Sequence, residues 1–218
     1  MKTNAELQQD VQDAIKWQPL LNAAEIGVTA KDGVVSLTGV VDSYAKKTEA
    51  EDAAKNVGGV TALVENIKVQ YPSSYSKTNG EIATEVLAAL KARWDVAEEK
   101  VKVKVEAGWV TLTGELHWHF QKEAAEDAIK SLMGVTGVTN NITIKSESME
   151  SIEKAGIESA LKRNWAFYEN DIRVNVSGHR ATLTGTVDSL YQKDEAGSIA
   201  WNAPGVWSVD NELVVDWN

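Results

Sequence analysis

One heptapeptide pattern recurs three times in this chain and restricts its fold more than any other feature. Gly33-Val34-Val35-Ser36-Leu37-Thr38-Gly39 returns as Gly108-Trp109-Val110-Thr111-Leu112-Thr113-Gly114 and again as His179-Arg180-Ala181-Thr182-Leu183-Thr184-Gly185. The copies are offset by 75 residues (33 to 108) and then by 71 (108 to 179), and the flanking sequence keeps the same register. Ile26, Val28 and Ala30 map onto Val101, Val103 and Val105, then onto Ile172, Val174 and Val176. Gly59 maps onto Gly134 and Gly205, and Ile67 and Val69 onto Ile142 and Ile144, then Leu213 and Val215. A register held over three copies means one structural unit repeated in tandem.

Each unit reads as α-β-β-α-β. Leu7, Val11, Ala14 and Ile15 fall at i, i+4, i+7 and i+8, one face of a helix, and Ile82, Val86, Ala89 and Leu90 repeat the pattern. Thr3-x-x-Glu6 and Thr78-x-x-Glu81 have the form of capping boxes. Alternation over 26–30 and 34–41 around Lys31-Asp32-Gly33 predicts a hairpin. A second helix follows with Ala50, Ala53, Ala54 and Val57 on its apolar face, and Gly58-Gly59 is expected to end it. The last strand carries Ile67 and Val69. Val35, Leu37, Ile67 and Val69 share the sheet face that receives both helices; Ser36, Thr38, Asn66 and Lys68 face the other way. The fold class is therefore α+β: three tandem modules over 3–71, 78–145 and 149–217, each a three-stranded mixed sheet with two helices on one face. A unit this small buries only about 60% of its chain's surface and is marginal alone. The linkers are Tyr71-Pro72-Ser73-Ser74-Tyr75-Ser76 and Lys145-Ser146-Glu147-Ser148. The second is shorter, which leads to the expectation that modules two and three touch.

The pattern V-x-L-x-G-x-V-x-S, then K-x-x-A, then G-V-x-x-V-x-N-x-L-x-V resembles the BON domain. The third unit carries it most fully: Leu183-Thr184-Gly185-Thr186-Val187-Asp188-Ser189, then Lys193 and Ala196, then Gly205-Val206 through Asn211, Leu213 and Val215. The first unit matches at Asp42-Ser43, Lys47, Ala50 and Gly59-Val60, the second at Lys122, Ala125, Gly134-Val135 and Asn140. The resemblance implies a binding module, associated with phospholipids and with osmotic and envelope stress, and it brings no catalytic residues and no cofactor. One relative of this type responds to potassium.

Charge narrows the partners. A net charge of −10 repels polyanions, which argues against nucleic acid and against binding an anionic bilayer by net charge alone. Cysteine is absent, so disulfides and thiolate chemistry are excluded. No apolar run reaches the length of a membrane span. With no signal-peptide pattern after Met1, the expected location is cytoplasmic; the alternative is periplasmic, with a leader removed.

Several side chains stand out. His117-Trp118-His119 fills the slot of Asp42-Ser43-Tyr44 and Asp188-Ser189-Leu190, where Asp or Ser caps the second helix. His117 and His119 are weak metal candidates, because a site needs three or four ligands; a contact patch is the better reading. Of eight tryptophans, Trp94 and Trp165 follow the first helix at equivalent places and read as structural. Trp109 aligns with Val34 and Arg180, Trp201 with Lys55 and Lys130, and Trp207 with Thr61 and Thr136. An indole among polar siblings suggests contact with another module, another subunit or a ligand. Lys47, Lys122 and Lys193 recur near the start of the second helix, where they face a lipid phosphate or simply solvent. Asn140 and Asn211 align with Glu65 beside inward positions and are expected to bond backbone.

No nucleophile constellation, phosphate loop or metalloprotease motif is present, so the chain reads as no enzyme. The leading expectation is a non-catalytic, stress-related binding protein engaging phospholipid or an envelope component through Lys47, Lys122, Lys193, Trp109, Trp118, Trp201 and Trp207. The alternatives are a protein-interaction or self-association scaffold, including a homo-oligomer, and a cation-responsive module.

Overall fold

The computed structural model describes residues 2–72, 77–145, 152–167 and 170–216. Linker residues Ser73 to Ser76 and Ser146 to Ser148 lie outside the described residues, as does the start of the third module at Met149. The element order is three rounds of α-β-β-α-β. The first comprises α1 (Asn4–Lys16), β1 (Ile26–Lys31), β2 (Val34–Val41), α2 (Tyr44–Lys55) and β3 (Ala62–Val69). The second comprises α3 (Asn79–Ala92), β4 (Val101–Glu106), β5 (Trp109–Leu116), α4 (His119–Lys130) and β6 (Gly137–Ile144). The third comprises α5 (Lys154–Arg163), β7 (Arg173–Ser177), β8 (Arg180–Thr184), β9 (Thr186–Val187), α6 (Leu190–Trp201), β10 (Ser208–Asn211) and β11 (Val214–Val215).

In each module the middle strand is central: β1-β2-β3, β4-β5-β6 and β10-β8-β7, with β11 beside β9. The hairpins are antiparallel and the returning strand is parallel, seen in full for β5 with β6 from Trp109↔Gly137 to Leu116↔Ile144. This is the mixed sheet expected from the alternation, because a strand reached through a helical crossover returns parallel. The hairpins turn on two residues, Asp32-Gly33 and Ala107-Gly108, all at positive φ as a type I′ turn requires. Lys31 thus belongs to the strand and not to the turn.

The helices cover one sheet face. In the second module α3 packs on α4 and β4, and α4 on β5 and β6. Ile82, Val86 and Leu90 from α3 meet Val110, Leu112 and Leu116 from the central strand and Ala125 and Ile129 from α4, all buried. The small residues of the second helix are the reason it lies close to the strands. In the third module Ile157 and Leu161 meet Ala181, Leu183, Ala196 and Ala200 in the same way.

Both capping boxes form. Thr78 Oγ1 accepts from Glu81 N (3.3 Å) while Glu81 Oε2 accepts from Thr78 N (2.8 Å), and Thr3 and Glu6 repeat the pair. These backbone bonds hold the Glu6 and Glu81 carboxyls below their ordinary pKa. A carboxyl depressed in the folded state adds stability above its unfolded pKa, and that stability is lost as the pH falls through the folded value. Thr78→Ala is expected to cost about 1 kcal/mol in urea unfolding and to flatten the acid limb of the stability profile, whereas Thr78→Ser keeps both. Equal urea midpoints for Thr78→Ala and the parent would remove the cap from the account.

The structure corrects the sequence reading at the end of the second helix. The second helix stops at Lys55, Lys130 or Trp201, so Val57, Leu132 and Ala203 lie beyond it; Gly59, Gly134 and Gly205 carry positive φ in the descending turn. The first helix of the third module begins at Lys154 with Glu153 as an N-cap that makes no side-chain bond. Ile157 and Leu161 keep the core register of Val86 and Leu90, while Ile152, just before the helix, is buried one position ahead of the place of Ile82.

Two compact units are distinguished: residues 1–39, 49–66 and 147–218, and residues 40–48 and 67–146. In the first, Gly59 N donates to Asp188 O (3.3 Å) and Lys55 pairs with Asp194 (2.9 Å). Burial works against the Lys55 ammonium, but the hydrogen bond and charge of Asp194, with Asp52 and Glu51, outweigh it and raise its pKa. In the second, Tyr44 joins the core around Leu112, and Tyr71 Oη donates to Val135 O (2.9 Å) and Leu132 O (3.3 Å). Inside each unit, therefore, it is the first module's sequence that meets another module.

Candidate functional site

The most exposed large side chains occupy one recurrent place. Trp17 (84% exposed), Trp94 (93%) and Trp165 (87%) each follow the end of a module's first helix. Trp94 and Trp165 are thus not structural, as their repetition suggested, but open to solvent. The reason is helical phase. Leu90 and Leu161 are core residues, and the position four later would continue their face. The helices stop at Ala92 and Arg163, so the chain turns before the indole can follow the core.

Basic residues accompany each indole. The last helical turn carries Lys16 in the first module, Lys91 in the second and Lys162 with Arg163 in the third. They complement the helix dipole, and they also place positive charge beside an exposed aromatic. Arg93 adds a guanidinium held by Asp95 through two bonds (2.9 and 2.7 Å). The sequence contains this signal as Lys16-Trp17, Arg93-Trp94 and Arg163-Asn164-Trp165, but Trp17 sits two residues early in the repeat register, so the repeat alone does not pair it with the others.

The lysines singled out by their recurrence occupy the fourth position of α2, α4 and α6. Lys47, Lys122 and Lys193 are all half-buried, and burial lowers the Lys122 pKa despite Glu126 nearby. Their backbone serves the fold. Asn140 Nδ2 donates to Lys122 O (2.8 Å) and Asn211 Nδ2 to Lys193 O (2.6 Å), while the amide oxygens accept from Ile142 N (3.3 Å) and Leu213 N (3.4 Å). The asparagines therefore tie the second helix to the third strand, as their position implied.

The remaining tryptophans largely serve their own modules. The Trp109 ring lies over Gly137 on the paired strand, where any side chain would collide with it, and its Nε1 donates to Thr139 Oγ1 (2.8 Å). Trp207 stacks on His179 with centroids 3.8 Å apart and planes 6° from parallel, and His179 Nδ1 bonds Gly205 O (2.8 Å). Trp201 is half-buried against the third module's core. Trp118 is exposed at the N-terminus of α4, where no side chain caps the helix; Gln121 Oε1 accepts from His117 N and Trp118 N (3.2 Å each), and Gln121 N falls back on Trp118 O (3.1 Å). In the third module Ser189 keeps that cap, accepting from Gln192 N.

The two histidines are engaged separately. Lys100 Nζ donates to His117 Nε2 (2.7 Å), which leaves Nδ1 as the N–H that donates to Lys145 O (3.1 Å). His119 Nδ1 faces Glu123 (3.6 Å). Among the described residues no three His, Cys, Asp or Glu side chains come together as a metal site would need, and no helix is long and apolar enough to cross a membrane.

Comparison with known proteins agrees with this architecture. Osmotically-inducible protein Y of Escherichia coli (strain K12) is 33% identical over 129 residues, which span 57% of this chain and 64% of that protein. The C-terminal domain of CdsD, a structural protein of the Type III secretion system of Chlamydia trachomatis, aligns over 99% of this chain and 100% of its own at 16% identity, with a TM-score of 0.26; neither fold nor function transfers at that level. The BON domain profile matches three times, over residues 3–71, 78–146 and 153–216, and those three matches, laid on three copies of one α-β-β-α-β unit, make this chain a member of the BON domain family.

Proposed function

We propose that the chain is a non-catalytic, stress-related binding protein that associates with phospholipid at the cell envelope through its tryptophan tips. The observation that carries this reading is the recurrence of a fully exposed indole after a basic last turn in each of the three modules: Trp17, Trp94 and Trp165. An indole is amphipathic and suits the headgroup level of a bilayer, and lysine or arginine beside it suits lipid phosphate. The net charge of −10 opposes an anionic surface, but charges farther than about a Debye length (~8 Å at physiological salt) are largely screened, so the local basic turn governs the tip. The name of the Escherichia coli relative supports the stress setting. Lys47, Lys122 and Lys193 enter this reading as helpers rather than as the primary contact, because they are half-buried.

The test is co-sedimentation with vesicles of phosphatidylglycerol and phosphatidylcholine, with tryptophan emission recorded in parallel. Inserting even a quarter of an indole's roughly 200 Å² is worth about 1.3 kcal/mol. Trp94→Ala is therefore expected to weaken binding about tenfold, and replacing Trp17, Trp94 and Trp165 together to abolish it. Undiminished sedimentation of that triple variant would move the contact elsewhere, and a parent protein that ignores every anionic vesicle would end the lipid reading.

A further inference from the structure

The three modules differ at one equivalent place, and the difference opens a groove. In the first module Lys2 pairs with Asp10 (2.7 Å) and its Nζ donates to Gly58 O (3.0 Å), bridging the start of the first helix to the end of the second. In the second module the equivalent Lys77 pairs with Glu85 (2.5 Å), and Tyr71 lies alongside with its hydroxyl on the Leu132 and Val135 carbonyls. Burial raises the Tyr71 pKa, which keeps the phenol a donor. A lysine before the first helix in both modules, joined in the second by Tyr71 from just beyond β3, thus closes the space between the two helices.

At the equivalent positions the third module carries none of these side chains. In the register of Lys2 and Lys77 stands Ser148, and in that of Asp10 and Glu85 stands Gly156. Leu132 and Met133 become Ala203 and Pro204, and Ser146 takes the place after β6 that Tyr71 holds after β3. The first helix also starts later, at Lys154. Between α5 and α6 lies a groove of about 770 Å³ lined by Gly156, Ile157, Ala160, Ile199, Ala203 and Pro204. Glu153 stands at the rim. The groove is mostly apolar, with Asn202 and Glu153 as its polar lining, and the carbonyls that follow α6 add acceptors.

We propose that this groove binds an extended segment of another polypeptide that carries a tyrosine followed by a lysine, in the manner in which Tyr71 and Lys77 close the equivalent space of the second module. The apolar floor takes the ring. The Ala203 and Val206 carbonyls, equivalents of those of Leu132 and Val135, accept from the hydroxyl. Glu153 attracts the ammonium. This goes beyond the membrane reading and uses none of its residues, so failure of one leaves the other standing.

The experiment is titration of the full, ¹⁵N-labelled chain with a synthetic peptide of residues 70–78, followed by amide shifts. Saturable shifts are expected at Gly156, Ala160 and Ala203, and weaker binding when the peptide's Tyr71 is replaced by Phe. Gly156→Glu restores the carboxylate of the other modules. A Cβ there meets nothing nearer than Glu153 at 3.8 Å, so the variant is expected to fold. It should tighten binding of the lysine-bearing peptide up to about fivefold and leave a Lys77→Ala peptide unaffected. Absence of shifts at about 1 mM peptide, shifts confined to other surfaces, or indifference to Gly156→Glu would each overturn the proposal. Displacement of the peptide by a fatty acid at equal concentration would overturn it as well, in favour of an acyl-chain site.

Discussion

Gly114→Ala is expected to remove about a third or more of the second module's stability. Gly114 ends the motif shared by the three copies, pairs with Val101 across the hairpin and has φ +149°. L-residues rarely adopt such a backbone. A Cβ at that place would fall inside the van der Waals envelope of the Lys100 carbonyl oxygen, and Gly39 and Gly185 stand in the same relation to Glu25 and Asp171. The obstacle is backbone, so no side chain can move to make room. Relief requires the strands to part at the point where the hairpin enters the core. Backbone strain together with lost pairing is worth about 3–5 kcal/mol. A domain is stable by only roughly 0.05–0.15 kcal/mol per residue, about 3.5–10 kcal/mol for a unit of this size, so the loss takes about a third of its stability or more. Urea unfolding followed by near-ultraviolet circular dichroism reads the loss through Trp109. Gly80→Ala is the control: that glycine is helical and its Cβ would meet only Thr78 Oγ1, at 4.0 Å, so the change should stabilise by about 0.5–1 kcal/mol. A Gly114→Ala protein with the parent's urea midpoint would refute the close approach.

The same glycine shows why so much of this fold was legible in advance. Its constraint is local and backbone-borne, and it recurs in three copies, so the pattern survives in sequence even where its neighbours change. The capping boxes at Thr3 and Thr78 and the alternation in β2 and β5 are legible for the same reason. The exposed tips are not legible from equivalence between copies alone. Trp94 and Trp165 stand four residues after core leucines, and only the helix end decides whether such a residue is buried. Helix ends are the part of a helix that periodicity specifies least. The groove of the third module was invisible for a different reason. It depends on a lysine, a carboxylate and an aromatic far apart in sequence, and what marks it is their absence at Ser148, Gly156 and Ser146.

Asn140→Ala is expected to cost about 2–3 kcal/mol, more than its half-exposed position would suggest. The side chain donates to the Lys122 carbonyl inside α4 and to Glu126 Oε2 (3.2 Å), and it accepts from Ile142 N in its own strand. Removing it orphans the Ile142 N–H where the strand turns inward to a buried residue, and leaves the Lys122 carbonyl with one partner fewer. Each polar group left unsatisfied in such a place costs about 1–3 kcal/mol. Asn140→Asp separates the two functions, because a carboxylate still accepts from Ile142 N but cannot donate to a carbonyl and faces the Glu126 carboxylate. At neutral pH it should be at least as damaging as alanine. Its folded pKa is expected to be raised, since both neighbours disfavour the charge. The penalty is therefore full above that raised value and disappears as the pH falls below the unfolded aspartate pKa of about 3.9, where the protonated acid can donate to Lys122. Urea midpoints for the parent, Asn140→Ala and Asn140→Asp across the acid range read this directly: the Asp curve should converge on the parent while the Ala curve stays parallel to it. Two variant curves that remain parallel at every pH would show that the donor end of Asn140, and with it the tie between the second helix and the third strand, contributes nothing to stability.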